Sequence, residues 1–421
     1  MAIEEASMIR LAIEGGPKSI SEALPNCFSA AGRTFGTEEE TLVLEALRSG
    51  CLSRNGGRMV KALERDFAAA LGLRFAVACS SGTACVHLAV AALDLDPGDE
   101  IVVPPITDIG TILPVLWQNA IPVFADVDPE TMLMDPASVA EVISPRTRAV
   151  IAVHLAGLPC ALDELRALCD KHGIVLIEDC SQAYWAEYKG RLVGGIGQMA
   201  CFSLQQTKHM TCGEGGLMVT SDDSYARRAL LFSDKAWPRE SGSLGSCRFL
   251  FLSQNYRMSE LCGAVAWAQL AKVAAGVERR RRSAASLSEK LAGIEGVNAP
   301  PVPDGRNPAY WLYMLRLDER IGPNAQAFGE ALVAEGVPAW VRYIIDPLYL
   351  SPIFAQSCTY GTSGYPFNAF AAQSFKRGLC PNAELALSRV IAIHWNENYT
   401  EAHVQQIADA IHKVAAHFRK D

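Results

Sequence analysis

Residues 147–183 read TRAVIAVHLAGLPCALDELRALCDKHGIVLIEDCSQA. TRAVIAV is a short apolar run. ALDELRALCDKHG spaces its apolar residues as one face of a helix and ends on glycine. IVLIED is again short and apolar, and it closes on acid. Two such runs joined by a helix-period segment read as strand, helix, strand, a connection that leaves both strands pointing the same way. The pattern extends in both directions, with FAVACS, EIVVPP and IPVFADV before it and MACFSL and GLMVTS after it. Seven runs, several separated by helical patterns, predict an α/β fold with a mainly parallel seven-stranded sheet flanked by helices.

Outside this body the pattern changes. TEEETLVLEALRS, residues 37–49, predicts a helix with Thr37 as cap and Glu40 completing a capping box. MVKALERDFAAALG predicts a second helix, closed by Gly72. Residues 1–30 lack periodicity and read as a loose arm. After residue 255 a long helical stretch, SELCGAVAWAQLAKVAAGVERRRRSAASLSEKLAGI, leads to a Pro/Gly-rich loop, a strand YWLYMLRL, a helix at 324–336, an irregular stretch at 343–381 and a final helix from Thr400. The expected division is an arm at 1–30, a large domain at 31–275 and a smaller α+β domain at 276–421.

The chain has 421 residues, half of them apolar, which suits two domains better than one core. Its net charge is −8 with no long run of one sign, which argues against a nucleic-acid partner. The one basic cluster, Arg279–Arg282, falls in the long helix and reads as a solvated face. No apolar run is long enough to span a membrane, and the acidic N-terminus does not read as a secretory signal. Thirteen cysteines without a C-x-x-C pair fit reduced thiols, no metal framework and a cytoplasmic setting.

In parallel sheets ligands bind at the carboxyl ends of the strands. Ser81-Gly82-Thr83 follows FAVACS and opens a helix, which is either an anion site or an ordinary helix cap. Asp179 ends IVLIED, with Gln182 three residues on. Alone, that acid can hold a protonated ring nitrogen, bind a metal or cap a helix. After MACFSL comes FSLQQTKHMTCGEGG, residues 202–216, with a single lysine, Lys208, before the turn Gly213-Glu214-Gly215-Gly216, and with Ser203 at the strand end. A lysine held at a strand end can form a Schiff base with an aldehyde. An anion site, an acid for a ring nitrogen and a lysine together match pyridoxal 5′-phosphate (PLP).

The order SSGTA, IEDCSQA, FSLQQTKHMTCGEGG, NYRMSELCGAVAWAQL resembles the DegT/StrS family of sugar aminotransferases, which are fold-type I PLP enzymes. The likeness extends through LRSGCLSRNGGRMVKALERDFAAALG, PGDEIVVPP, PVFADVDPETMLMDP and VHLAG. It implies that Lys208 carries the cofactor and moves the proton, and that Asp179 pairs with the pyridinium. It also implies that Gln182 lies near the ring hydroxyl and that Gly82, Thr83 and Ser203 hold the phosphate. Asn255 would reach the phosphate of a neighbouring subunit, giving a homodimer with shared active sites; otherwise it caps the helix that follows. The implied reaction takes nitrogen from L-glutamate or L-glutamine to a keto-sugar or keto-cyclitol, in aminosugar or antibiotic-type biosynthesis. A PLP dehydratase is a rival that Lys208 speaks against, since such relatives carry histidine there. A cyclising enzyme keeps the lysine. A cofactor-binding protein without turnover is the rival from another class.

Three departures stand out. Where the family carries a ring-stacking aromatic, the loop PPITDIGT has Asp108, which either sits beside a cationic substrate or caps the helix at Ile109 and faces away. Arg342-Tyr343 stands where nucleotide-sugar enzymes show histidine-tyrosine, and Arg342 is a candidate for the donor's α-carboxylate. AIHWNENYT, residues 392–400, stands where the family more usually has a proline-tyrosine segment, and its Trp395, with Tyr310 and Trp311, is either an aromatic wall for a sugar ring or packing.

Overall fold

The computed structural model describes residues 10–239, 248–321, 325–370 and 373–418. All seven apolar runs are strands: β1 (Phe75–Cys79), β2 (Glu100–Val103), β3 (Ile121–Phe124), β4 (Thr147–Val153), β5 (Val175–Asp179), β6 (Met199–Ser203) and β7 (Gly216–Thr220). They form one sheet in the order β1-β7-β6-β5-β4-β2-β3. Only β7 runs against its neighbours. It follows β6 through a short loop, and a direct return of that length requires antiparallel pairing. The other six strands therefore end on one edge.

Helices α1 (Thr37–Arg48), α2 (Met59–Ala70), α3 (Gly82–Ala92), α4 (Leu162–His172), α5 (Asp223–Ser233) and α6 (Glu260–Leu291) belong to this body or leave it. The α1 cap lies one residue earlier than expected. Gly36, not Thr37, is the N-cap, and the box is closed by Glu39, whose carboxylate accepts the Gly36 N–H at 2.7 Å. Glu39 is buried and also takes Lys272 and Gln269 of α6, so tertiary contacts select it over exposed Glu40.

The smaller sheet has β8 (Val297–Asn298), β9 (Leu312–Leu317), β10 (Ala339–Trp340) and β11 (Val390–His394) in the order β8-β9-β11-β10. Helices α7 (Ala325–Ala334) and α8 (Glu401–Phe418) pack against one another there. β11 was not anticipated, because VIAIH lacks the strict alternation of a half-exposed strand. It is an inner strand, paired on both sides.

Buried apolar side chains fall into two large clusters, and α6 passes from one at Val277 to the other at Ala284. Two sequence expectations change as a result. The segment expected to be a loose arm is anchored from residue 11, since Leu11, Ile20 and Leu24 are buried in the second cluster. Glu335 also accepts the N–H groups of Ala12 and Ser19. Tyr349, Phe354 and Cys380 lie after the long helix in sequence but pack into the first cluster, with Tyr349 and Phe354 edge-on to Phe124.

The arginine cluster is a third correction. Arg280 is 2% exposed and donates to Glu397 at 2.6 Å and to the carbonyls of Trp395 and Tyr310. Arg281 donates to the carbonyls of Trp185 and Pro308. Arg280 and Arg281 thus hold α6 against the loops around Trp395, Tyr310 and Trp185, while Arg282 is exposed as a solvated face would be. The twelve described cysteines are all free thiols. Among the described residues no helix is long and apolar enough to cross a membrane.

Candidate active site

The strand ends converge on a cavity of about 350 Å³. After β1, Ser81 caps α3, its hydroxyl accepting the Ala84 N–H at 3.1 Å. Gly82 and Thr83 then form the first turn of an eleven-residue helix, where free N–H groups and the helix dipole favour an anion. Gly82 is required by space: a Cβ there would stand 2.6 Å from the Ser203 Cβ. That close approach sets the Ser203 hydroxyl beside the helix N-terminus.

Asp179 and Glu178 end β5 side by side and face opposite ways, as neighbours on a strand must. Glu178 is fully buried away from the cavity and accepts N–H bonds from Gly194, Ile196 and Gly197. Asp179 faces the cavity. Its Oδ2 accepts the Thr111 hydroxyl at 2.8 Å and its Oδ1 the Ser181 N–H at 3.0 Å. Thr111 is in turn bonded to Thr107, a pair one helical turn apart in TDIGT. Gln182 is fixed at both ends: its Oε1 accepts the Ala156 N–H at 2.7 Å and its Nε2 donates to the Tyr343 hydroxyl at 2.9 Å.

Lys208 rides on a closed loop between β6 and β7. Leu204 donates to the Gly215 carbonyl at 2.8 Å and accepts the Cys212 N–H at 3.1 Å. Gly213 turns the chain with φ near +88°, open to glycine and strained for other residues. The lysine amine lies 3.8 Å from the centre of the Trp311 ring, over its face. Trp311 is held there by its indole N–H, which donates to the Thr207 carbonyl at 3.0 Å. Burial lowers the Lys208 pKa to about 8, against the pull of the Asp108 and Asp179 carboxylates, which favour the charged form.

Of the residues singled out from sequence, Gly82, Thr83, Asp108, Asp179, Gln182, Ser203 and Lys208 all line this cavity. Asp108 does cap the short turn Ile109–Thr111, accepting the Gly110 N–H at 2.8 Å, but it does not face away. Tyr343 reaches the site through Gln182. Arg342 is not brought in; its Nη2 lies 3.5 Å from Gln326 on α7. Asn255 does not cap α6, a task taken by Ser259, and its exposed side chain lies off this cavity, beside a bridge to Asp234. Trp311, open from sequence between a ring wall and packing, lines the cavity, as do Thr111 and Trp340, which the sequence reading does not single out. Thr111 had a signal in its four-residue spacing from Thr107. Trp340 had none.

A lysine amine, a carboxylate and a helix N-terminus at one edge of a mainly parallel sheet are the parts an α/β enzyme can use for chemistry on an aldehyde. The chain belongs to the DegT/DnrJ/EryC1/StrS aminotransferase family, which it matches over residues 34–412. It is 33% identical to the GDP-perosamine synthase of Caulobacter vibrioides over 80% of this chain and 89% of that one. It is 35% identical to the L-glutamine:2-deoxy-scyllo-inosose aminotransferase of Streptomyces paromomycinus, over 86% and 88%. A solved 3-amino-5-hydroxybenzoic acid synthase superposes with a TM-score of 0.82 at 27% identity, covering 91% of this chain and 97% of that one. The fold is that of the sugar aminotransferases, the protein is an aminotransferase, and its family implies PLP. The donor set fits that group: hydroxyls and free N–H groups for a phosphate, an anchored carboxylate for a ring nitrogen, and an amine of lowered basicity for an aldehyde.

Proposed function

We propose that the protein transfers the amino group of L-glutamate or L-glutamine to the ketone of a sugar or cyclitol, with Lys208 as the acid and base of both half-reactions. The observation that supports this most is the placing of the Lys208 amine over Trp311 in the cavity that also holds Asp179 and the start of α3. Ser203, Gly82 and Thr83 would hold the phosphate of PLP, Asp179 its ring nitrogen and Gln182 its ring hydroxyl. When bound, the cofactor supplies the electron sink for breaking the bond to the substrate's α-hydrogen. Lys208 then carries that proton. A pKa of about 8 lets it give and take protons near neutrality, which an ordinary lysine does poorly. Trp311 covers the amine on one side and limits water there. Thr111 keeps one Asp179 oxygen directed, so the acid does not swing toward the lysine.

The working unit in this reading is a homodimer. Phe249, Leu250 and Leu252 are exposed just before Asn255, Leu252 at 93%. An apolar strip of that kind favours cover by another chain, and a second copy would bring Asn255 toward the partner's phosphate site. The free thiols favour a reducing cytoplasmic setting. The test is absorbance of the PLP-loaded protein before and after L-glutamate or L-glutamine. A visible cofactor band that gives way to the amine form supports the reading. A band unchanged by either donor, and by a panel of other amino acids, overturns it.

A further inference from the structure

Arg33 does not line the cavity, yet its side chain ends on the peptide of Lys208. It is 8% exposed. Its Nη1 donates to the Lys208 carbonyl at 2.9 Å and its Nε to the Cys27 carbonyl at 3.0 Å. The Cys27 carbonyl also accepts the Gln206 side-chain amide at 2.6 Å. The turn that carries the lysine is thus fastened from outside at successive residues. Gln206 reaches Cys27, the Thr207 carbonyl accepts the Trp311 indole, the Lys208 carbonyl accepts Arg33, and the His209 ring donates to the Ala309 carbonyl at 3.0 Å. Trp311 and Ala309 stand at the entry to β9, whereas Cys27 and Arg33 belong to the N-terminal segment. That segment is tied in turn to the loop between β11 and α8, where Asn396 donates to the Gly32 carbonyl at 3.2 Å and Asn398 to the Ala31 carbonyl at 2.9 Å.

The main chain offers no substitute for the Arg33 bond. Among the described residues no backbone N–H reaches the Lys208 carbonyl. A loop has no strand ladder to set the tilt of its peptides, so here the guanidinium sets it. A buried guanidinium is also a costly way to fill space, because burial works against its charge. Its two bonds go to carbonyls, whereas Arg280 is paired with the Glu397 carboxylate. An apolar side chain would fill the same volume without that cost. What the planar fork adds is two charge-assisted donors at fixed angles, which lock the Cys27 and Lys208 carbonyls to one another. A tilt of the Lys208 peptide is carried along the side chain to the amine, where misplacement by about 1 Å can cost about 100-fold in rate. These bonds lie within one chain, so they hold whether or not a second copy completes the cavity.

We propose that Arg33 is a positioning residue for Lys208, one that fixes the plane of the lysine's peptide and makes the placing of the amine depend on the seated N-terminal segment. This rests on the reading of Lys208 as acid and base, and the experiment separates the two. The first readout uses cofactor-free protein, in which the pH midpoint of Lys208 reductive methylation is followed by peptide mass spectrometry. The second uses PLP-loaded protein, in which the cofactor band is followed against the concentration of L-glutamate or L-glutamine. In Arg33→Met the freed peptide lets the amine reach water, so the Lys208 midpoint should rise by about one pH unit or more. The band change at saturating donor should slow by about tenfold or more, with the half-saturating donor concentration shifted by less than about threefold. Arg33→Lys keeps one charged donor but loses the fork, and should fall between native protein and Arg33→Met on both readouts. A Lys208 midpoint unmoved in Arg33→Met overturns the proposal, even where the melting temperature falls, because a merely structural loss leaves the folded site as it was. Should Arg33→Met fail to fold, Arg33→Lys carries the test, and an unmoved midpoint there overturns the proposal. If no donor changes the band of native protein while the Arg33 variants still move the midpoint, the reading of Lys208 as acid and base fails and the positioning role stands.

Discussion

The Lys208 amine is the most exacting place to test this structure. Its pKa of about 8, against an ordinary value of 10.5, means that at pH 7 about 9% of the amine is neutral, compared with about 0.03% for a solvated lysine. Only the neutral amine attacks an aldehyde, so Lys208 in cofactor-free protein should react roughly 300-fold faster than surface lysines at that pH. The assay is limited reductive methylation with formaldehyde and cyanoborohydride between pH 6 and 11, with each lysine followed by peptide mass spectrometry. Lys208 should show a midpoint near 8. In Asp108→Asn the midpoint should move lower, because that carboxylate raises the pKa in the native site. The same shift affects stability. Between pH 8 and 10.5 the unfolded chain holds more protons at this position than the folded one, so stability rises with pH across that window. Below pH 8 the folded protein bears the full cost of the buried ammonium. Cofactor-free Lys208→Met should therefore be more stable at pH 7 by up to roughly 3 kcal/mol, and the gain should fade toward pH 10.5. A Lys208 midpoint at 10 or above, unmoved by Asp108→Asn, would refute the reasoning.

Other substitutions probe the remaining parts of the site and frame. Asp179→Asn should lower turnover by about 10- to 100-fold, the worth of a hydrogen bond to a charged group, and Thr111→Val by less, measured as kcat with a fixed donor. Gly82→Ala places a Cβ 2.6 Å from that of Ser203 and should weaken PLP affinity at least tenfold in a cofactor titration, with secondary structure retained in circular dichroism. Arg280→Met leaves the Glu397 carboxylate buried without its partner and should cost about 3–5 kcal/mol in urea unfolding; Arg280→Met with Glu397→Leu should recover most of it.

What could be read in the sequence follows from what is local. The strands of the large sheet are short continuous apolar runs, and burial on both faces writes that pattern directly into the chain. Lys208, Asp179 and Ser203 could be found because strand ends are where a parallel sheet presents its chemistry. Trp340 could not be found, since it comes to the cavity from a two-residue strand of the other sheet, more than a hundred residues after Lys208. Arg280 and Arg281 were misread for a related reason. Helix periodicity shows which residues share a face, but not whether water or a second layer covers it. Leu11, Ile20 and Leu24 are too widely and irregularly spaced to signal an element, yet together they anchor the N-terminal segment.

The paired acids at the end of β5 carry one more consequence. Glu178 and Asp179 are chemically near-identical, so sliding the strand by one residue would still point a carboxylate at the cavity. Three backbone N–H groups and His154 surround Glu178 on the other face. A slipped strand would leave those donors without an acceptor in the dry interior. The network thus acts as an alignment check during folding. It rejects a misthreaded strand that the cavity side alone would tolerate, and it makes this stretch of chain intolerant of a single inserted or deleted residue.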